Sequence, residues 1–275
     1  MSASQRVLPR GGRQAFRVGG RLAAVVAPVL VFVVGVTLWE AGVFHAVIGI
    51  QPFTVPLPSA IVAGTARYGD EIAGALRVTL SAAIVGYACG MTLGFTLGSG
   101  LVRFVPGLIP RVLPLLGATN SLPIVALAPL IALWTGPGVI LKVIVVTIMT
   151  TPIMTVYTVR GLRDVEPAAL ELMASLEATG GQVYRMLRLR RAMSFLFTAL
   201  KSAIVLALIG TIVSEAVRGF EGLGYVIVSS MGRFEAARAW LALLAIAASG
   251  IVWYILVGVL ERIVVPWDVA SRARD

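Results

Sequence analysis

The chain has 275 residues, of which 58% are hydrophobic and 13% charged. A soluble domain carries roughly 25% charged residues, so the surplus apolar surface needs lipid to face, and one membrane domain fills the available length. The formal net charge of +10 does not point to nucleic acid, because the basic residues punctuate apolar runs, and the single cysteine, Cys89, excludes a disulfide framework and reads as a small buried side chain.

In chain order, six apolar windows reach the roughly 20 residues that a helix needs to cross a hydrocarbon core. They lie at 22–44, 75–99, 112–135, 139–159, 195–217 and 239–260. The basic stretch before the first window mimics a signal peptide. The apolar run to Phe44 is too long for that, and no small-residue cleavage site follows it, so it reads as a span. Segment 52–72 holds Pro52, Pro56 and Pro58 ahead of Ser59, which predicts a short surface helix capped by the Ser59 hydroxyl. His45 reads as a surface loop residue; as the one histidine of the chain it cannot build a zinc site.

The third window carries Pro114, Pro123 and Pro129 around Asn120 and Ser121. Prolines free backbone carbonyls, which is tolerated in a bilayer only against neighbouring helices or a water-filled path. Asn120 and Ser121 therefore either line such a path or hydrogen-bond between helices. Lys142 sits where it can snorkel to the outer boundary. Glu215, near the outer end of the fifth window, reads as an interfacial carboxylate beside Arg218.

Orientation follows from the basic residues. With the N-terminus in the cytoplasm, the inside segments 1–21, 100–111, 160–194 and 261–275 hold 16 Lys and Arg, and the outside segments hold 4. A bias of that size across short loops puts both termini inside. The expected organisation is a basic tail over 1–21, a transmembrane domain over 22–262 with its core at 75–262, and a tail over 263–275. The fold class is an all-α polytopic membrane protein of about six transmembrane helices.

The inside loop at 160–194 predicts a helical hairpin. Asp164, Glu166 and Pro167 mark a helix start. Leu170, Met173 and Leu176, with Leu172 on the flank, recur at helical spacing. Gly180 and Gly181 are expected to end this helix in a left-handed turn. A second helix begins near Gln182 and bears Arg185, Arg188, Arg190 and Arg191. An apolar ridge outside the membrane needs a partner to cover it. For the arginines, snorkelling near headgroups and partner contact both remain open.

This hairpin resembles the cytoplasmic loop of ABC-importer permeases, whose pattern is E-A-A-x3-G-x9-I-x-L-P. Glu171-Leu172-Met173 stands for E-A-A, Glu177 for the glycine, and Leu187-Arg188-Leu189-Arg190 for I-x-L-P; the glycine and proline themselves are absent. Trp39-Glu40, Leu57-Pro58-Ser59, the stretch from Pro123 to Gly138, Gly210 to Glu215 (GTIVSE) and Gly222-Leu223-Gly224-Tyr225 are similar to the sulfonate, nitrate, taurine and thiamine-precursor permease group. The stretch VALAPL at 125–130 is closer to the pyrimidine or vitamin-precursor members than to the sulfonate ones, and the resemblance implies a pyrimidine or vitamin precursor, or an organosulfonate-type anion, as substrate.

The resemblance implies an importer subunit that pairs with a second permease copy or paralogue and a cytosolic ABC ATPase, and takes substrate from an extracytoplasmic binding protein. It implies that residues 166–178 form the ATPase-coupling helix, with Glu166, Leu170, Glu171, Met173, Ala174, Leu176, Glu177, Gly180 and Gly181 at the contact. No cofactor is expected on this chain and ATP is used by the partner, in keeping with the lack of a Walker-type phosphate loop. A proton- or ion-coupled carrier, a membrane-embedded enzyme and a regulatory subunit without a pathway are the rivals. Against the first two, the span centres hold no carboxylate relay and no catalytic constellation.

Overall fold

A computed structural model of the protein describes residues 12–49, 51, 53–119 and 123–267, and every regular element among them is helical. The chain divides into two units, 1–63 and 64–275.

In the first unit, α1 (Gly12–Glu40) stops at a turn where Gly42 takes φ 73°, and the short α2 (Val43–Ile48) follows. His45 lies on α2, not in a loop, and its Nε2 sits 2.7 Å from the Val55 carbonyl oxygen. The α1 flank from Val29 to Val33 is exposed and apolar, as a lipid-facing helix requires. The expected separate surface helix after Pro58 does not form. Instead α3 (Pro58–Phe104) runs unbroken for 47 residues. Pro58 is its first residue, where a missing N–H is harmless, and the Ser59 hydroxyl is not the cap. The Ser59 N–H donates to Glu40 Oε2 at 3.0 Å. At helical rise α3 is about 70 Å long, so it projects well past a hydrocarbon core of about 30 Å.

In the second unit, α3 continues and is followed by a 3-10 turn, Pro106–Leu108, and α4 (Ile109–Thr119). The expected third span is not one rod. It is two helices, the segment ending with α4 at Thr119 and α5 (Ile124–Thr135), inclined to each other by 93°. Pro123 stands at the N-cap of α5 with an extended backbone, whereas Pro114 and Pro129 lie inside helices. Next come α6 (Val139–Arg163), α7 (Pro167–Ser175), the single turn α8 (Gly180–Gln182), a π-helical stretch over Val183–Arg188, and α9 (Leu189–Arg218). Residues 180–217 form one continuous helical rod, so the second hairpin helix runs without a break into the apolar helix expected as the fifth span. The chain finishes with α10 (Leu223–Gly232) and α11 (Ala236–Val264).

Among the described residues, four helices are long and apolar enough to cross a membrane, or five counting the bent α4–α5 pair. The main core is built from Tyr87 and Met91 of α3, Val146 and Met154 of α6, and a small-residue ridge on α9, Ala199, Ala203 and Ala207. Close approach is permitted by a glycine seam on α3. Gly86, Gly90, Gly94 and Gly98 face α6; a Cβ at Gly90 would fall 1.9 Å from Thr150 Oγ1, and one at Gly94 2.6 Å from the Thr151 carbonyl. Small residues at four-residue spacing are how membrane helices gain dispersion contact without a hydrophobic driving force. Cys89 lies on the opposite, exposed side of α3, which corrects the expectation of burial.

Candidate functional site

The hairpin starts where the sequence places it. Glu166 is the N-cap of α7 and Pro167 its first residue. The Asp164 carboxylate takes no part in the cap; its Oδ2 accepts from Arg191 Nε at 3.0 Å, tying the hairpin's two strands of chain together. Within α7, Leu170 and Met173 are half-buried against the chain, whereas Glu171, Leu172, Ala174 and Leu176 are exposed. Leu172 and Leu176 are 62% and 68% exposed and stand four residues apart, so the outward apolar pair is Leu172–Leu176.

The turn after α7 differs from expectation. Gly180 and Gly181 do not end the helix; they begin the next one. The left-handed residue is Glu177, at φ 52°. That is the position aligned with the glycine of the permease loop, so the backbone keeps the glycine conformation while the side chain has changed. Thr179 and Gln182 then form a capping box: Thr179 N–H donates to Gln182 Oε1 at 2.7 Å, and Gln182 N–H donates to Thr179 Oγ1 at 3.4 Å.

At the other end of the second unit, four elements meet on one carboxylate. Glu215 of α9 is fully buried and its Oε1 lies 3.0 Å from Lys142 Nζ of α6, itself only 2% exposed. Thr79 of α3 donates its hydroxyl to Glu215 at 2.9 Å and accepts the Leu223 N–H at 2.9 Å. The Gly224 N–H donates to Glu215 Oε2 at 2.9 Å. The carboxylate thus lies on the N-terminus of α10, where orphan N–H groups and the helix dipole favour an anion. Gly222, at φ 95°, makes room: a Cβ there would lie 2.0 Å from Glu215 Oε1. Lys142 therefore does not snorkel and Glu215 is not an interfacial carboxylate. A charge taken out of water needs pairing and further hydrogen bonds, and these partners supply both.

A cavity of about 340 Å³ opens beside the α4–α5 bend, walled by Thr119, Leu127, Met149, Pro152 and Ser202 among others. Asn120 and Ser121, the expected path-lining pair, lie outside the described residues.

These features coincide with a known family. The model for the binding-protein-dependent transport system inner membrane component matches residues 90–267. The chain belongs to that family. It is 31% identical to the riboflavin transport system permease protein of Chloroflexus aurantiacus over 84% of this chain and 85% of that one. It is also 31% identical to the formylaminopyrimidine transport permease protein of Halalkalibacterium halodurans, over 87% and 95%. A putative aliphatic sulfonates transport permease protein of Bacillus subtilis is 22% identical over 96% of this chain. In fold it is similar to the inward-facing MetNI methionine ABC transporter, with a TM-score of 0.57 at 17% identity over 71% of this chain and 94% of that one.

The protein is an ABC-importer permease subunit and a multi-pass membrane protein. In this permease the segments that carry the family resemblance bond to one another. The Glu40 carboxylate of Trp39-Glu40 holds the N–H of Ser59 in Leu57-Pro58-Ser59, and Glu215 of GTIVSE holds Gly224 of the Gly222–Tyr225 stretch. Sequence reasoning quoted both pairs of segments without joining them. It missed Lys142 and Thr79 as partners, for which no local signal exists. It also missed the T-x-x-Q capping box at Thr179 and the G-x-x-x-G seam on α3, both of which are written in the sequence.

Proposed function

We propose that this permease spans the membrane six times with both termini in the cytoplasm, pairs with a second permease, and imports a small heterocyclic vitamin or vitamin precursor. A binding protein delivers the substrate outside, and a separate ATPase subunit docks on α7 inside. The observation that carries the coupling role is the outward pair Leu172–Leu176 on a helix with no buried residue. Such a ridge is stable when a groove covers it. The rigid connection matters equally. Residues 180–217 are one rod, joined to α7 by the turn over 176–179, so displacement passed through that turn reaches Glu215 and the outer end of the second unit without a further loop between. ATP-driven closure of the two ATPase subunits then rocks the permease halves between inward- and outward-open states.

The substrate class is supported by the two relatives at 31% identity, which are named for riboflavin and formylaminopyrimidine. The cavity beside the α4–α5 bend agrees with it: its walls are mostly apolar, with Thr119 and Ser202 as polar points, the usual mix in a site for a small organic molecule. Asn120 and Ser121 are proposed, from the sequence, as path-lining residues.

The test is transport in proteoliposomes containing the permease, its ATPase subunit and its binding protein. Uptake of riboflavin or formylaminopyrimidine that depends on ATP and on the binding protein supports the proposal. Uptake driven by a proton gradient with ATP depleted supports a secondary carrier and contradicts it.

A further inference from the structure

At the base of the α9 rod lies a second cleft, of about 390 Å³, lined by Met186, Leu187, Arg190, Arg191, Ser194 and Trp267. Arg190 is exposed, makes no ion pair among the described residues, and holds its guanidinium 5.5 Å from the centre of the Trp267 ring. Arg191 gives its Nε to Asp164 and remains 62% exposed, so the outer part of its fork is turned to solvent. No described carboxylate lines the cleft. Two cationic forks, an aromatic ring, a hydroxyl and two aliphatic side chains thus share one concavity.

Its level in the fold identifies the ligand. Trp267 follows the end of α11 at Val264, and Arg190 and Arg191 open α9. The cleft is therefore where two spans leave the hydrocarbon, the depth at which tryptophan and arginine sit against headgroups. Arginine forks match phosphate oxygens bidentately. Met186, which is 64% exposed, and Leu187 offer an apolar floor to the first carbons of an acyl chain. An acidic protein surface would use the arginines and leave this floor and the indole wet. We infer that the cleft binds the phosphate headgroup of an anionic phospholipid of the cytoplasmic leaflet, directly beside the coupling hairpin. Arg190 occupies the position at which the family's loop pattern has proline, so the charge is a feature of this chain. The leaflet assignment rests on the orientation proposed above; the site itself does not.

Native mass spectrometry of the full chain in detergent tests it, with phosphatidylglycerol, phosphatidylcholine and inorganic phosphate as probes. Each basic residue near an anionic surface contributes about a fivefold change in binding. Wild type is expected to retain phosphatidylglycerol over phosphatidylcholine, Arg190→Gln to lose about fivefold of that retention, and Arg190→Lys to keep most of it. Arg262→Gln, outside the cleft, is expected to match wild type. Equal retention of the two lipids overturns the inference, as does an Arg190→Gln protein that binds phosphatidylglycerol like wild type. Displacement of the lipid by millimolar inorganic phosphate overturns the lipid assignment in favour of a free-anion site. The readout needs no ATPase subunit, so its failure is separable from a failure of the coupling proposal.

Discussion

Glu215 shows how one side chain organises several helices. Its carboxylate joins α3, α6, α9 and α10 through Thr79, Lys142 and Gly224. Removing one member of a buried ion pair leaves an uncompensated charge, which costs about 3–5 kcal/mol, whereas replacing both by apolar groups costs far less. Lys142→Met is therefore expected to lower the thermal stability of the solubilised protein sharply, and Lys142→Met with Glu215→Leu to recover part of it. A double variant as unstable as the sum of its singles would mean the two charges are not coupled. Glu177 presents the opposite case, a local cost. A non-glycine residue in the left-handed region loses about 1–2 kcal/mol, so Glu177→Gly is expected to slow hydrogen exchange in the hairpin amides; faster exchange would contradict the strain. The motif put Glu177 at the glycine position, but the left-handed turn was expected at Gly180 and Gly181, so this site was legible only in part. The Lys142–Glu215 pair was not, because nothing in local spacing shows which spans touch.

At the scale of elements, propensity and punctuation worked where a residue acts on its neighbours and failed where a distant group intervenes. Pro167 as the first residue of α7 was readable from its own chemistry. The unbroken α3 was not, because the N–H of Ser59 is satisfied by Glu40, and the prolines ahead of it suggest an interruption that never occurs. The single third span was overestimated because three prolines in one apolar run do not show which of them ends a helix: Pro114 and Pro129 lie inside helices and Pro123 at an N-cap. The glycine seam between α3 and α6 governs assembly of the second unit. Gly90→Val pushes a methyl group into Thr150, and overpacking of this kind costs about 1–3 kcal/mol. Its expected signature is a lower melting temperature, while valine at the open position Gly100 leaves melting unchanged. Equal effects at both positions would remove the seam from the account. Thr179→Ala, which deletes the capping box, is expected to cost about 1 kcal/mol and to raise hydrogen exchange at the start of α8.

For the whole molecule, composition made the membrane class legible and the resemblance of several segments implied the importer family, with which the family match over residues 90–267 agrees. The proposed function needs a mechanical connection from α7 through the 180–217 rod to the Glu215 cluster. The claim at its centre is that the Leu172–Leu176 face receives the ATPase subunit. Co-purification of the permease with that subunit, comparing wild type with Leu172→Asp plus Leu176→Asp, tests it most directly. Both residues are exposed, so the permease itself is expected to fold and to purify in normal yield while the ATPase subunit is lost from it. An ATPase subunit that stays bound to the variant as it does to wild type would place the coupling contact elsewhere and contradict the account.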